Sequence, residues 1–430
     1  MKPLNRSILA IALPAIASNI TTPLLGLVDT AITGHIGSPA YLGAIALGGT
    51  MFSMLYWVLN FLRMGSGGLT AQACGRGDST AAAAVLWRGL LLAALLGAII
   101  IALSGSAGAA GMRFLDADDA TAPLAQRYFS IAVWGAPAVL ATYVLTGWFL
   151  GMQNSRAPMW MALFTNIVNI AVSLTLVYGL GWKIEGVATG TLTAQWAGAA
   201  LGLILLSGYR PRRLGLRTLL RGDGLRRYFS INTDIFLRTL CLVAVTVWFT
   251  RTGARDGVVT LAANALLMQL FMFFSYFMDG FAYAGEAIGG RLHGAGDNSA
   301  LRSLIAALLR WGGAIAAIFA AAYLLGGHLI LQALTDRPEV VAAAAQFLPW
   351  AAAVPVAGVW AFIWDGIFIG LTRTRGMLVA MAAAMAVFFG VWSATRFMGN
   401  HGLWLAFTLY LLTRGITEWA LYTKEKTAQA

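Results

Sequence analysis

The sequence Gly75-Arg76-Gly77-Asp78 returns 219 residues further along the chain as Gly294-Ala295-Gly296-Asp297. The same offset relates two other segments: it pairs Gly147, Phe149, Gly151 and Arg156 with Gly366, Phe368, Gly370 and Arg375, and Leu42, Ala44, Ala46 and Leu47 with Leu261, Ala263, Ala265 and Leu266. Because one constant offset covers three separate segments, we interpret the chain as an internal duplication. Many secondary transporters are built from such repeats, with the solute site at the interface between the halves.

The composition is that of an integral membrane protein. Of the 430 residues, 59% are hydrophobic and 11% are charged, and the mean hydropathy is +0.75. A soluble domain carries about 25% charged residues, and one spanning helix needs about 20 apolar residues. The apolar runs predict an all-α polytopic protein with twelve transmembrane helices, in two pseudo-symmetric six-helix lobes around a central cavity. The helices are expected near residues 7–34, 42–70, 84–107, 124–150, 157–180, 184–207, 228–251, 258–289, 303–326, 343–371, 377–397 and 401–422.

The distribution of charge predicts the domain boundaries and the topology. The chain has a net charge of +12, and arginines are concentrated between the halves at Arg210, Arg212, Arg213, Arg217, Arg221, Arg226 and Arg227. We therefore expect an N-lobe at 1–210, a basic linker at 211–227 and a C-lobe at 228–430. The excess of basic residues places the linker and both termini in the cytoplasm, in a protein of the cytoplasmic (inner) membrane. This placement argues against nucleic acid as the partner of these arginines. Contact of the linker with anionic lipid head groups is compatible with it, and we give that contact no functional weight. A loop predicted on the opposite side holds Asp116, Asp118 and Asp119.

Asp29 is the one acid of the first half that is predicted well inside a helix. Pro23 and Gly26 precede it and allow the helix to bend beside the carboxylate. An ionisable group within the bilayer is costly and marks a functional site, so we expect Asp29 to hold H⁺ or Na⁺. Burial in an apolar lobe favours the neutral acid, which would let Asp29 change its protonation state during a transport cycle. The alternative is that Asp29 only bonds a neighbouring helix or lies at a hydrated helix end.

A polar line in helices 5 and 6 is the predicted surrounding of Asp29. Asn166, Asn169 and Ser173 are spaced by three and four residues and therefore share one helix face, and Thr191 follows in helix 6. If this face points at Asp29, the five residues form a polar pocket inside the first lobe. Hydrogen bonding between helices explains the same pattern equally well.

The second half carries its own intramembrane charges. Asp234 and Arg238 are four residues apart, which is the spacing of a local ion pair, although a role in gating is an equally good interpretation. Asp279 and Glu286 share one face of helix 8, and Asp365 lies in helix 10. These five residues are the second-lobe candidates for cation coupling. Residues nearer the predicted helix ends are expected to extend mostly to the cytoplasmic surface; these are Arg63, Arg310, Arg414 and Glu418.

Enzymatic and metal-binding functions find no support in the sequence. The two cysteines, Cys74 and Cys241, lie at non-equivalent positions of the halves, and the four histidines fall near predicted helix ends without metal-ligand spacing. We expect no cofactor, no bound metal and no catalytic residue; H⁺ or Na⁺ would act only as the coupling ion.

Several segments resemble one family along nearly the whole chain. In the first half they are Leu24-Leu25-Gly26-Leu27-Val28-Asp29-Thr30-Ala31, Gly34-His35-Ile36, Ser38-Pro39-Ala40-Tyr41-Leu42-Gly43, Leu62-Arg63-Met64 and Leu69-Thr70-Ala71-Gln72-Ala73. In the second half they are Asp279-Gly280-Phe281-Ala282-Tyr283, Glu286-Ala287, Trp360, Asp365-Gly366, Phe368-Ile369-Gly370 and Gly399-Asn400-His401. The chain thus resembles the multidrug and toxic compound extrusion (MATE) transporters, and among them the DNA-damage-inducible F (DinF) branch.

The resemblance implies twelve helices in two lobes and export of amphipathic, often cationic compounds in exchange for H⁺ or Na⁺. In the family the helix 1 acid takes part in coupling, which corresponds to Asp29, and the family's helix 5 asparagine and helix 6 threonine correspond to Asn169 and Thr191. Some relatives carry a second acid where this chain has Ser173, and its absence favours protons. An acid pair on helices 7 and 10 in other branches makes Asp365 a second candidate.

The combined expectation is a proton-coupled multidrug efflux transporter that works by alternating access, with small-molecule substrates and the lipid bilayer as its partners. A monomer suffices for this mechanism. The alternative is a flippase for a lipid-linked precursor, a function that the related two-lobe fold also supports. Such a flippase would need cationic groups for a pyrophosphate, and Arg238 is the best candidate in the sequence.

Overall fold

A computed structural model describes residues 2–34, 39–114, 118, 120–220 and 222–429. Within these ranges the regular structure is helical, which confirms the all-α prediction. Three residues used in the charge argument, Asp116, Asp119 and Arg221, lie outside the described residues.

In the described residues of the first half, ten segments are α-helical. They are α1 Lys2–Gly34, α2 Pro39–Leu59, α3 Phe61–Gly75, α4 Ser79–Ala102, α5 Ser104–Phe114, α6 Ala122–Ala132, α7 Ala136–Gly151, α8 Arg156–Leu174, α9 Ile184–Ser207 and the short α10 Leu216–Leu219. A 3₁₀ turn at Val133–Gly135 joins α6 to α7, and a π-helical turn at Thr175–Gly179 extends α8.

The second half repeats this order with fewer interruptions. Its helices are α11 Asp223–Arg255, α12 Val258–Gly294, α13 Asn298–Leu334, α14 Pro338–Gly370, α15 Thr374–Ala394 and α16 Asn400–Gln429. The helix α12 begins and ends 219 residues after Pro39 and Gly75, so it is one continuous counterpart of α2 and α3. In the same way α13 corresponds to α4 with α5, and α14 to α6 with α7.

All twelve predicted spans fall on observed helices. In the described part of the chain, ten stretches are long and apolar enough to cross a membrane. The remaining two predictions, 7–34 and 401–422, lie on α1 and α16, which are 33 and 30 residues long.

The repeated Gly-x-Gly-Asp sequence starts a helix in each half. Gly77 and Gly296 have φ angles of +70° and +77°, a left-handed conformation that glycine adopts without strain. The following aspartates then cap the next helix: Asp78 accepts a hydrogen bond from Ala81 N, and Asp297 accepts one from Ala300 N, each over 2.9 Å. The duplication is therefore also a duplication of local backbone chemistry.

The second repeated glycine motif brings helices into close contact. A Cβ added at Gly147 would lie 2.1 Å from the Arg63 carbonyl oxygen, so α7 packs backbone to backbone on α3. A Cβ at the equivalent Gly366 would lie 2.2 Å from the Ala282 carbonyl oxygen, so α14 packs on α12 in the same way. Such approach requires small residues at the crossing.

Two compact units divide the chain, one formed by Pro14–Phe229 and the other by Met1–Leu13 with Ser230–Ala430. These limits differ from the predicted lobes at both ends. The first turns of α1 belong with the C-terminal helices, where Asn5 Oδ1 accepts a hydrogen bond of 3.4 Å from Trp311. The segment predicted as a linker packs on the first unit, because Trp87 donates to the Arg212 carbonyl over 3.0 Å and Arg88 donates to the Leu219 carbonyl over 2.9 Å.

Candidate functional site

Asp29 lies on α1 inside the first unit and is only 5% exposed. Its carboxyl is within hydrogen-bonding reach of Asn169 on α8 and of Thr191 on α9. Three helices thus meet at one carboxyl group. Of the residues predicted around Asp29, the structure brings Asn169 and Thr191 to its carboxyl group.

Close packing of α8 on α9 holds these side chains in place. A Cβ added at Gly190 would lie 2.0 Å from Ser173 Oγ, so the two helices touch at this level. Asn169 Nδ2 donates a hydrogen bond of 3.2 Å to Thr191 Oγ1 one residue further along α9. Asn169 and Ser173 are both fully buried, as expected for two residues that are one helical turn apart and face a neighbouring helix.

Asn166 belongs to the same helix face but makes a different contact. Its Nδ2 donates a hydrogen bond of 3.0 Å to the carbonyl oxygen of Thr21, two turns before Asp29 on α1. Asn166 therefore fixes α8 to the backbone of α1, whereas Asn169 faces the carboxyl itself. Ser173 lies where α9 crosses and completes the polar line.

Tyr128 on α6 is part of the site and was missed from the sequence. It is 5% exposed and lies within hydrogen-bonding reach of Thr191 and near Asp29. Its ring packs edge-on against Phe52, with centroids 6.3 Å apart. One feature of the sequence distinguishes this tyrosine. The residue 219 positions later is Phe347, so the first half has a hydroxyl group at a position where the second half has none.

The second unit contains a separate charged cluster centred on Asp365 of α14. Arg238 of α11 and Arg414 of α16 both bond the same oxygen, Oδ2, and the Arg414 contact measures 2.5 Å. The local Asp234–Arg238 pair allowed by the sequence does not form. Asp234 instead accepts a hydrogen bond of 2.9 Å from Thr374 on α15. Arg238 points at α14 because the interhelical partner is the more deeply buried carboxylate.

The expectation that Arg63, Arg414 and Glu418 extend to the surface is wrong. They are 6%, 4% and 0% exposed, respectively, and Glu418 lies beside Asp365. Arg310 on α13 is exposed. The physical reason is that Arg414 and Glu418 lie one turn apart on the face of α16 that packs on α14, where charged groups are stabilised by one another rather than by water.

Asp279 and Glu286 occupy other places on α12. Asp279 is half-buried near Tyr276. Glu286 is fully buried, at the level where a Cβ added at Gly370 would lie 2.5 Å from the Glu286 carbonyl oxygen. The five second-lobe candidates therefore occupy different surroundings: Arg238 and Asp365 are joined, Asp234 bonds α15, and Asp279 and Glu286 lie on α12.

Comparison with known proteins identifies the family. The MatE family model matches residues 14–175 and 234–391, which is most of the chain and follows the internal duplication. The chain belongs to the MatE family. Its members are membrane transporters, so this protein is a transporter and not an enzyme.

Individual MatE relatives extend over almost the whole chain. The chain is 41% identical to DNA damage-inducible protein F of Escherichia coli (strain K12), over 98% of this chain and 92% of the relative. It is 25% identical to the probable multidrug resistance protein NorM of Rhizobium meliloti, over 96% and 91%. A solved structure described as the outward-facing conformation of a multidrug resistance MATE family transporter of the MOP superfamily superposes with a TM-score of 0.89 at 17% identity, covering 99% and 96% of the chains.

The MatE match covers one polar cluster more fully than the other. Asp29, Asn166, Asn169 and Ser173 lie inside the first matched range, and Arg238 and Asp365 lie inside the second. Residues beyond the two ranges include Thr191, Arg414 and Glu418. The charged cluster of the second unit is therefore completed by α16, which lies outside the match.

Proposed function

We propose that this MatE transporter exports amphipathic, often cationic small molecules from the cell in exchange for H⁺, with Na⁺ as the alternative ion. The observation that supports this most directly is the buried carboxyl of Asp29 beside Asn169 and Thr191. The coupling ion is the only cofactor that this function requires. A monomer in the cytoplasmic membrane, with both termini in the cytoplasm, would be sufficient.

The uncharged groups around Asp29 suit a proton. Asn169 and Thr191 lie within hydrogen-bonding reach of the carboxyl group, and both can donate to it when it is ionised. A neutral Asp29 carboxyl has one hydrogen to donate, and the Thr191 hydroxyl can also accept. The same pocket can therefore hold both forms of the carboxyl group, as binding and release of a proton require. Ser173, where some relatives have an acid, leaves one carboxylate among the five predicted residues of the site, which is less favourable for Na⁺.

Coupling follows from linkage between the two ligands. If protonation of Asp29 lowers the affinity for substrate, substrate binding must favour release of the proton by the same factor. Alternating access then converts an inward proton gradient into outward movement of substrate. The substrate class is carried over from the relatives, since the NorM proteins are named for multidrug resistance.

The test is efflux from proteoliposomes under an imposed pH gradient or an imposed Na⁺ gradient. Wild type is compared with Asp29→Asn and with the matched control Asp78→Asn, an exposed helix cap at which asparagine serves equally well. We expect a pH gradient alone to drive efflux in wild type and in the control but not in Asp29→Asn. Efflux by Asp29→Asn that equals wild type at every pH would disprove the role of Asp29, and drive by Na⁺ alone would replace H⁺ as the coupling ion.

The flippase alternative lacks the observation that would favour it. Arg238, the cation on which it depended, is 6% exposed and bonded to Asp365, and Arg414 shares the same carboxylate oxygen. A buried guanidinium that already bonds a carboxylate of its own protein is a poor ligand for a pyrophosphate, so drug export is the function we retain.

A further inference from the structure

A charged cluster in the second unit has no part in the function proposed above. Its four side chains are Arg238 of α11, Asp365 of α14, and Arg414 and Glu418 of α16, with exposed fractions of 6%, 7%, 4% and 0%. The positions 219 residues earlier hold Asn19, Thr146, Gln195 and Ala199, none of which is charged. The cluster is therefore not needed to build a six-helix lobe, and its retention in an apolar setting calls for a function.

Hydrogen bonding in the cluster is incomplete. Both guanidinium groups donate to Asp365 Oδ2, and Asp365 Oδ1 receives no hydrogen bond. Neither carboxyl oxygen of Glu418 receives one, and the Nε atoms of both arginines also remain unused. A buried polar atom without a partner is destabilising, so this group of unpaired atoms points to a proton, whose position the heavy atoms do not show.

The contact between the two acids, Glu418 and Asp365, indicates where that proton lies. The Glu418 carboxyl lies within hydrogen-bonding reach of the Asp365 carboxyl. Two ionised carboxylates are both acceptors and repel each other, so this contact is favourable only when one of them carries a hydrogen. Asp365 is held in its ionised form by two arginines on one oxygen, which leaves Glu418 to carry the proton and Asp365 Oδ1 to accept it.

We propose that Glu418 is a proton-binding site of the second unit, and that its protonation state selects the partner of Arg414. In the observed arrangement the neutral Glu418 carboxyl donates to Asp365, and the four groups together carry one net positive charge. When Glu418 releases its proton to water, the group of four becomes neutral. Arg414 lies one turn before Glu418 on the same helix, the spacing of an i,i+4 ion pair. Its unused Nε then turns to the new carboxylate, and Arg238 alone remains on Asp365.

The surroundings of Arg414 would transmit this change to helix packing. Its guanidinium lies over the Phe362 ring of α14, 5.6 Å from the centroid, and the neighbouring Tyr410 also faces it. A Cβ added at the next residue, Gly415, would lie 2.7 Å from Ala361 N, so α16 and α14 touch here. The charged groups that face Glu418 are Asp365, Arg414 and Arg238, and each changes its partner or its local field when the proton leaves.

Infrared difference spectroscopy of the purified full-length protein in detergent tests the proposal without substrate or transport, so its failure is distinct from failure of the efflux hypothesis. A neutral carboxyl has a C=O stretching band that neither a carboxylate nor a glutamine side chain shows. Spectra recorded across a pH titration are compared for wild type, Glu418→Gln, Asp29→Asn and Asp234→Asn. The last variant removes an acid of the same unit that bonds Thr374 and lies outside the cluster.

We expect a neutral-carboxyl band that disappears on titration in wild type, in Asp29→Asn and in Asp234→Asn, and that is missing from Glu418→Gln. A band of Asp29 is distinguished from it, because that band is missing from Asp29→Asn and present in Glu418→Gln. If Glu418→Gln keeps every neutral-carboxyl band of the wild type, the proposal is overturned. Glu418 is then ionised in the wild type, for example with a bound water in place of the proton. A Glu418 band that never titrates would overturn the switch. Should Glu418→Gln fail to fold, Arg414→Lys provides the second test: it weakens the deprotonated state by removing the planar guanidinium, so the Glu418 band must persist to higher pH than in wild type.

Discussion

Asn169 on α8 donates a hydrogen bond of 3.2 Å to the hydroxyl of Thr191 on α9, beside the carboxyl of Asp29. The amide nitrogen has two hydrogens, so Asn169 can bond Thr191 and also donate to the ionised carboxyl group of Asp29. The bond between α8 and α9 thereby keeps both polar side chains beside the acid. Each half of the duplicated chain has its own buried carboxyl group, but the two are held by different chemistry: neutral amide and hydroxyl groups around Asp29, and guanidinium groups around Asp365.

The bond between Asn169 and Thr191 predicts the effect of Thr191→Val. Valine keeps the shape but removes the acceptor, so the Asn169 amide loses a buried partner and stability should fall by about 1–3 kcal/mol. Thr193→Val is the matched control, because Thr193 is exposed and its hydroxyl bonds the Thr189 carbonyl of its own helix. Thermal unfolding in detergent, followed by intrinsic fluorescence, measures both. Equal melting temperatures for the two variants would show that the interhelical bond contributes nothing.

The glycine at the crossing of α14 with α12 predicts a strong effect of Gly366→Ala. The added methyl group would lie 2.2 Å from the Ala282 carbonyl oxygen, which is backbone and cannot move aside without separating the helices. Overpacking of this kind costs about 1–3 kcal/mol. Gly313→Ala in α13 should be neutral or slightly stabilising, since nothing lies within 4 Å of the new methyl group and alanine favours the helix. A Gly366→Ala protein as stable as Gly313→Ala would contradict the close packing.

The repeated helix caps predict matched losses in the two halves. Asp78→Ala and Asp297→Ala each remove a side-chain acceptor from the first turn of a long helix, at a cost of about 1 kcal/mol. The asparagine variants at the same positions should restore most of that loss. Unfolding measured for the four single variants checks this. Unequal effects of the two alanine variants would show that the repeated caps do not contribute equally to the stability of the two halves.

The two arginines on one carboxylate predict that Asp365→Asn is severely destabilising. Removing the negative charge takes away the carboxylate that both buried guanidinium groups bond, and breaking a buried pair in this way costs about 3–5 kcal/mol. Asp234→Asn should be nearly neutral, because an asparagine oxygen can still accept the hydrogen bond from Thr374. The yield of monodisperse protein and its melting temperature distinguish the two variants. If both variants are as stable as wild type, the ion pairs of Asp365 do not stabilise the protein.

Local features of the sequence were enough for much of the fold. Hydropathy placed the spans because each helix needs a continuous apolar stretch, and the 219-residue offset aligned the halves closely enough to relate α12 to α2 with α3. The spacing of Asn166, Asn169 and Ser173 correctly placed them on one helix face. These properties depend only on residues close together in the chain or on comparison of the chain with itself.

Only the tertiary structure decided which side chains meet. Arg238 had Asp234 one turn away on its own helix but bonds Asp365 on another, and Glu418 is buried although its position suggested a helix end. In a membrane helix nearly every face is apolar, so the sequence does not mark which face turns inward and which turns to lipid. The rotation of each helix is set by packing at places such as Gly147 and Gly366, and that rotation brought Tyr128 to Asp29 and Glu418 to Asp365. The sequence by itself thus determined the helices and their duplication, whereas the partners of the buried charges depended on contacts between helices distant in the chain.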